Sequence, residues 1–149
     1  MWITKLGSHG LIWLVLALVV ALVRRRAAPF VLVLLAVTAA DGIAGLAKAA
    51  VREQRPTEPG ALITIPHSHS FPSGHTATAV AGAIVLSTLV PKAAPAFAVL
   101  AAAVAYSRLY VGVHFPLDLL GGAVIGAATA LLLLAVARRR SGRVRRGAR

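Results

Sequence analysis

Three short polar clusters interrupt an otherwise apolar chain. In the first, Lys48 is followed by Arg55-Pro56, with six residues between the lysine and the arginine. The second is Pro72-Ser73-Gly74-His75. In the third, Ser107-Arg108 leads to His114, and Asp118 comes four residues later. Lysine, two arginines, two histidines and an aspartate suit the binding and transfer of a phosphoryl group. Cations hold phosphate oxygens, arginine through a planar fork and lysine as a point charge. A neutral imidazole attacks phosphorus when a carboxylate holds its other nitrogen. Charges in apolar surroundings are costly and need a reason. Phosphoryl chemistry supplies one reason for all of them.

The three clusters resemble the signature of the type 2 phosphatidic acid phosphatase (PAP2) family, written KxxxxxxRP, PSGH and SRxxxxxHxxxD. Lys48, Arg55, Pro56, Pro72, Ser73, Gly74, His75, Ser107, Arg108, His114 and Asp118 fill every fixed position. The match runs over residues 48–118, about half of the chain. PSGH alone is a weak signal; three motifs in the right order are a specific one. The resemblance implies an all-α, PAP2/haloperoxidase-like core and hydrolysis of a phosphate ester through a phosphohistidine. It implies no metal and no other cofactor.

By that resemblance His114 is the nucleophile, and Asp118 orients and polarises it. Pro116 suits the first turn of a helix, so Asp118 falls in that turn and can reach back to His114. Taken alone, the pair also reads as a first-turn acid answering the helix dipole beside an interfacial histidine. His75 is the expected general acid for the leaving oxygen and later the base for water. It follows Ser73, a favoured N-cap, and Gly74, which lets the backbone approach a ligand. Free N–H groups at such a helix start attract phosphate. Lys48, Arg55 and Arg108, with Ser73 and Gly74, form the expected phosphate-binding set. Snorkelling to the interface suits Arg55, but it suits Lys48 less, because Lys48 is still inside an apolar run.

The elements that must position these residues are membrane helices. The 149-residue chain is 58% hydrophobic and only 13% charged, a membrane composition. Its net charge of +12 is uneven. Seven arginines fall in the stretch from Arg138 to Arg149, and three more form Arg24-Arg25-Arg26. No cysteine is present, which excludes disulfide and thiol chemistry. Five apolar stretches read as spans: Leu6–Val23, Ala27–Ala50, Thr76–Val90, Ala93–Tyr106 and Pro116–Ala137. In lipid they must be helices, since each must satisfy its own backbone. The first ends in arginines and not in a small-residue cleavage site, so it reads as a span and not as a signal peptide. The fold class expected is therefore a polytopic helix bundle with about five transmembrane helices. Residues 1–137 form one membrane domain and 138–149 an arginine-rich tail.

Positive residues stay on the cytoplasmic side. With five spans, Arg24–Arg26, Lys92 and the tail share one face. All three motifs then fall on the other, extracytoplasmic face of a cell membrane. Members of the resembled family usually have six spans, so whether a partner subunit covers the gap left by the first is open, as is a homo-oligomer.

Other polar residues carry less. Asp41 sits near the middle of the second span, seven residues before Lys48 and on nearly the same helix face. It reads equally as a functional intramembrane acid and as a structural hydrogen-bonding group. Arg52 reads as a solvated loop residue. His67 and His69 form an HxH with too few companions for a metal site. The arginine tail reads as a topology anchor meeting anionic lipid, and no nucleic-acid partner is expected.

The function expected is hydrolysis of a lipid phosphate or diphosphate of the polyprenyl diphosphate, phosphatidylglycerophosphate or phosphatidate class. Two rivals stand beside it. One is a lipid phosphotransferase of the same fold. The other is a non-catalytic transporter or assembly subunit, which has no need to keep the whole charged set in lipid.

Overall fold

The computed structural model describes residues 10–56 and 67–147, with side chains as far as residue 140. Five α-helices follow one another in these residues: α1 Leu11–Arg24, α2 Ala28–Val51, α3 Gly74–Leu89, α4 Ala94–Tyr110 and α5 Pro116–Gly147. One turn of 3₁₀ helix, Pro91–Ala93, leads into α4. Each helix falls on one of the five apolar stretches, and no strand is present among the described residues. The all-α bundle read from the sequence is the fold. The start of the first stretch, before residue 10, and the loop at 57–66 lie outside the described residues. At the other end α5 runs on into the arginine tail.

Three segments are long and apolar enough to cross a bilayer: Ala28–Val51, Pro91–Tyr110 and Pro116–Arg140, of 24, 20 and 25 residues. α1 and α3 are shorter, at 14 and 16 residues. Local chemistry sets their ends. Arg25 and Arg52 take left-handed backbone angles just past α1 and α2. There their N–H groups close the last turn onto Leu22 O and Lys48 O. Ser73 precedes α3 and its hydroxyl accepts from Thr76 N. Pro116 opens α5 with Asp118 in its first turn.

α3 is the central helix. It packs on α2, α4 and α5, and its sequence of Ala, Thr and Gly leaves most of its residues buried. Small residues permit this crowding, as between helices in lipid generally. Any Cβ at Gly122 or Gly126 of α5 would overlap the carbonyl oxygens of Ser73 and Ala77 on α3. Gly82 of α3 likewise makes room for the ring of Trp13, which is 1% exposed. Leu22, Leu46, Val99, Val124 and Leu132 point outward. Such an apolar exterior is what a lipid-facing bundle presents and is unusual for a soluble monomer.

The consequence for the site is geometric. The C-terminus of α2, the N-terminus of α3, the C-terminus of α4 and the N-terminus of α5 carry all three motifs. At the other end of α3, the Arg24 guanidinium donates to Leu89 O, the last residue of that helix. A cation there also meets the negative end of the helix dipole. The polar ends of the bundle are thus chemically distinct.

Candidate active site

His114 lies in the short turn between α4 and α5 and is buried, as is Asp118. Its Nδ1 is 2.9 Å from Asp118 Oδ2. A carboxylate oxygen only accepts, so the proton sits on Nδ1 and the lone pair on Nε2. Asp118 Oδ2 also accepts from the Ser70 hydroxyl and from Phe115 N–H at 2.8 Å. Three donors on one oxygen fix the carboxylate, and the carboxylate fixes the ring.

Nε2 of His114 is 3.3 Å from Nη1 of Arg55. The guanidinium is held from three sides. Its Nε donates to Ser68 O at 2.8 Å, its Nη2 to Ser68 Oγ at 3.1 Å, and its Nη1 to Val113 O at 2.7 Å. Burial lowers the Arg55 pKa, and the nearby Asp118 charge opposes that. Lys48 reaches across from α2, its Nζ donating to His69 O at 3.0 Å and Ser70 O at 2.8 Å. An ammonium has three donors, and these bonds use two of them.

The same environment sets the state of His114. Burial is the largest influence and lowers its pKa from 6.5 to about 4. The hydrogen bond to Asp118 opposes this, while the charges of Arg55 and Lys48 add to it. The imidazole is therefore neutral at neutral pH, the state in which Nε2 is a nucleophile.

His75 and Arg108 lie elsewhere in the same end of the bundle. With Trp13, Thr78 and Ser107 they line a cavity of about 140 Å³. Arg108 Nε donates to Ser107 Oγ at 3.1 Å, and Ser107 donates to Val104 O at 2.6 Å. Ser73, expected among the phosphate ligands, is fully buried. Its hydroxyl accepts from Thr76 N and Thr76 Oγ1, and its own N–H donates to Asp118 O at 2.9 Å. Its groups thus cap α3 and tie that helix to α5. Gly74 follows as the first residue of α3.

Arg55, His114 and Asp118 thus form one bonded cluster, to which Ser70 ties Lys48, and His75 and Arg108 line a separate cavity. Two residues outside the motifs complete the bonding. Ser70 supports Asp118 with its hydroxyl and Lys48 with its carbonyl, and its N–H donates to Glu53 O at 2.8 Å. Ser68 holds Arg55 by two atoms. Nothing in their spacing marks them. Arg52, His67 and His69 are exposed, and Asp41 is half-buried on α2.

A second, larger cavity of about 670 Å³ lies between α3, α4 and α5. Thr76, Leu119 and Leu120 line it beside the motif residues, and Ala98, Ala101, Ala102 and Ala105 give it an apolar wall.

Residues 29–141 match the PAP2 superfamily. Decaprenylphosphoryl-5-phosphoribose phosphatase of Mycobacterium tuberculosis (strain ATCC 25618 / H37Rv) is 35% identical over 136 residues, covering 84% of this chain and 71% of that protein. Undecaprenyl-diphosphatase of Sulfolobus acidocaldarius is 41% identical over 63 residues, covering 42% of this chain and 31% of that protein. Two crystal structures share the fold. The Bacillus subtilis PAP2-type phosphatidylglycerolphosphate phosphatase gives a TM-score of 0.66 at 24% identity, covering 86% of this chain and 68% of that one. Aquifex aeolicus LpxE gives 0.67 at 28% identity, covering 90% and 84%. The motifs, the helical core and these likenesses together show that the chain belongs to the PAP2 superfamily.

Proposed function

We propose that this chain is a membrane-embedded lipid phosphatase acting through a phosphohistidine on His114, with a polyprenyl-linked phosphate or diphosphate as its substrate class. The observation that carries the chemistry is the paired environment of the His114 ring: Nδ1 on Asp118 and Nε2 beside Arg55. The likeness to phosphatases of polyprenyl lipids supports the substrate class. The apolar cavity beside the motif residues supports a substrate with a hydrocarbon tail.

In the first step His114 Nε2 bonds to phosphorus as the bond from phosphorus to the leaving oxygen breaks. His75 gives that oxygen its proton. In the second, water attacks the phosphohistidine, His75 takes the water proton, and inorganic phosphate leaves with His114 neutral again. Lys48, Arg55 and Arg108 stabilise the charge on the equatorial oxygens. These three cations would take the charge-stabilising role that metal ions play in other phosphoryl-transfer sites, so the reaction is expected to proceed in EDTA. The motif end of the bundle faces outward from the cytoplasm, because Arg24–Arg26 and the tail lie at the other end.

The test is phosphate release by purified protein in detergent, with EDTA present, from polyprenyl diphosphate, polyprenyl-phosphoryl sugar phosphate, phosphatidylglycerophosphate and phosphatidate. Turnover of polyprenyl substrates, inhibited by vanadate, is expected. Absence of release from every lipid phosphate, or a requirement for added magnesium, contradicts the reading.

A further inference from the structure

We infer that a cavity at the end of the bundle away from the motifs binds the phosphate of an anionic glycerophospholipid, held by Arg24 and Arg26.

The end of α1, the start of α2 and the end of α3 meet there around a cavity of about 400 Å³. That volume is within the roughly 300–1,000 Å³ of small-molecule sites. Its lining has two parts. Arg24 and Arg26 supply charge, and Ala28, Pro29, Leu32 and Leu89 supply an apolar wall. Two guanidinium groups suit a phosphate diester. The wall suits the first carbons of an acyl chain and gives nothing to a free phosphate. Ala28–Val51 is long enough to cross a bilayer, so its first residues lie at headgroup level. Leu32 lies about one helical turn deeper. Charge at the surface with apolar surface below it is the order in which a phospholipid presents phosphate and chains. On the orientation proposed above, the lipid comes from the cytoplasmic leaflet.

The three consecutive arginines are not equivalent. Arg25 takes the left-handed angle that ends α1. Arg24 and Arg26 line the cavity, whereas Arg25 does not. A topology anchor needs only charge and no such sorting. Capping of α3 uses part of Arg24, whose guanidinium donates to Leu89 O, but that group has five N–H donors. It leaves Arg26 without an account. Carboxylates do not provide one among the described residues. Asp41 is in the middle of α2, Glu53 lies just past its far end, and Asp118 is in the first turn of α5. Two cations on one cavity repel each other, and an anionic headgroup between them removes that repulsion.

The experiment is native mass spectrometry of the full chain in detergent, titrated with phosphatidylglycerol, phosphatidylcholine or inorganic phosphate. Wild-type protein is expected to bind phosphatidylglycerol at least about tenfold more tightly than phosphatidylcholine. Arg24→Gln and Arg26→Gln should each weaken phosphatidylglycerol roughly tenfold. Arg25→Gln removes the same charge and should change it less than about threefold. Lipid held at the motif end is untouched by these changes and cancels in the comparison. Equal losses in the three variants mean general attraction to a basic turn and overturn the site, as does equal affinity for the two lipids. Inorganic phosphate that displaces the lipid, with the same dependence on Arg24 and Arg26, assigns the cavity to a free anion and overturns the lipid assignment. A cooperative thermal transition in lipid-free detergent shows that each variant is folded. Arg26→Gln leaves the bond from Arg24 to Leu89 in place, so its comparison with Arg25→Gln decides the matter even where Arg24→Gln fails to fold. Binding is read without turnover, so the result is independent of the phosphatase reading.

Discussion

Nε2 of His114 lies 3.3 Å from Nη1 of Arg55, while Nδ1 of the same ring lies 2.9 Å from Asp118. One imidazole thus links the carboxylate that orients it to the cation that would receive the phosphate. Arg55 is expected to do more than supply charge, because Nη1 also holds Val113 O while Nε and Nη2 hold Ser68, which fixes the loop around the site. Lysine keeps the charge and loses the fork. Arg55→Lys should lower kcat/KM for phosphate release by about 10²–10³, the usual cost of removing one preorganised donor from a transition state. Retention of a third of wild-type activity would show that point charge alone suffices there.

Ser70 tests the support of the pair. Its hydroxyl reaches Asp118, while its contacts with Lys48 and Glu53 use main-chain atoms. Ser70→Ala therefore removes one hydrogen bond to a charged acceptor and leaves the loop path intact. Such a bond contributes about 1.5–3 kcal/mol, so kcat should fall roughly tenfold to a hundredfold with KM little changed. An unchanged kcat would reduce Ser70 to packing.

The depressed pKa of His114 fixes a pH dependence. Burial and the neighbouring cations bring it to about 4, below the ordinary value of about 6.5. As pH falls below about 6.5 the unfolded chain takes up this proton before the folded one does, so stability attributable to His114 declines from there down toward pH 4. The nucleophilic form is lost only near the folded value. At pH 6 nitrogen NMR of histidine-labelled protein should show His114 neutral with its proton on Nδ1. A doubly protonated ring at that pH would contradict the geometry.

Sidedness can be read with single cysteines, since the native chain has none. Gln54, at the motif end, and Lys92, after α3, are both exposed. A membrane-impermeant maleimide applied to intact cells should label Gln54→Cys and spare Lys92→Cys. The reverse pattern would move the catalytic end to the cytoplasm.

The charged half of this site was legible because lysine, arginine, histidine and aspartate are rare in lipid-facing sequence, and each occurrence demands an account. The four-residue step from His114 to Asp118, with Pro116 between, was enough to anticipate the hydrogen bond across the start of α5. The loop that completes the site was not legible. Ser68 and Ser70 work partly through backbone carbonyls, which any residue could supply, and serine is common in loops. Ser73 shows the opposite limit. Its type suited both a helix cap and a phosphate ligand, and only the packing of α3 on α5 reveals that its N–H is taken by Asp118. Gly122 and Gly126 mark where two helices meet closely enough that their backbones touch, and a pair of glycines four residues apart is too common to reveal that in a sequence.

The central claim is that His114 carries the phosphoryl group. The direct measurement is trapping of the intermediate: brief incubation of wild-type protein with a lipid substrate labelled in the departing phosphate, an alkaline quench, and mapping of the label. The account predicts an acid-labile, base-stable phosphohistidine on His114, absent from His114→Ala, and loss of phosphate release in that variant by several orders of magnitude. Label on another residue, or a His114→Ala protein that keeps more than about a tenth of wild-type turnover, would contradict it.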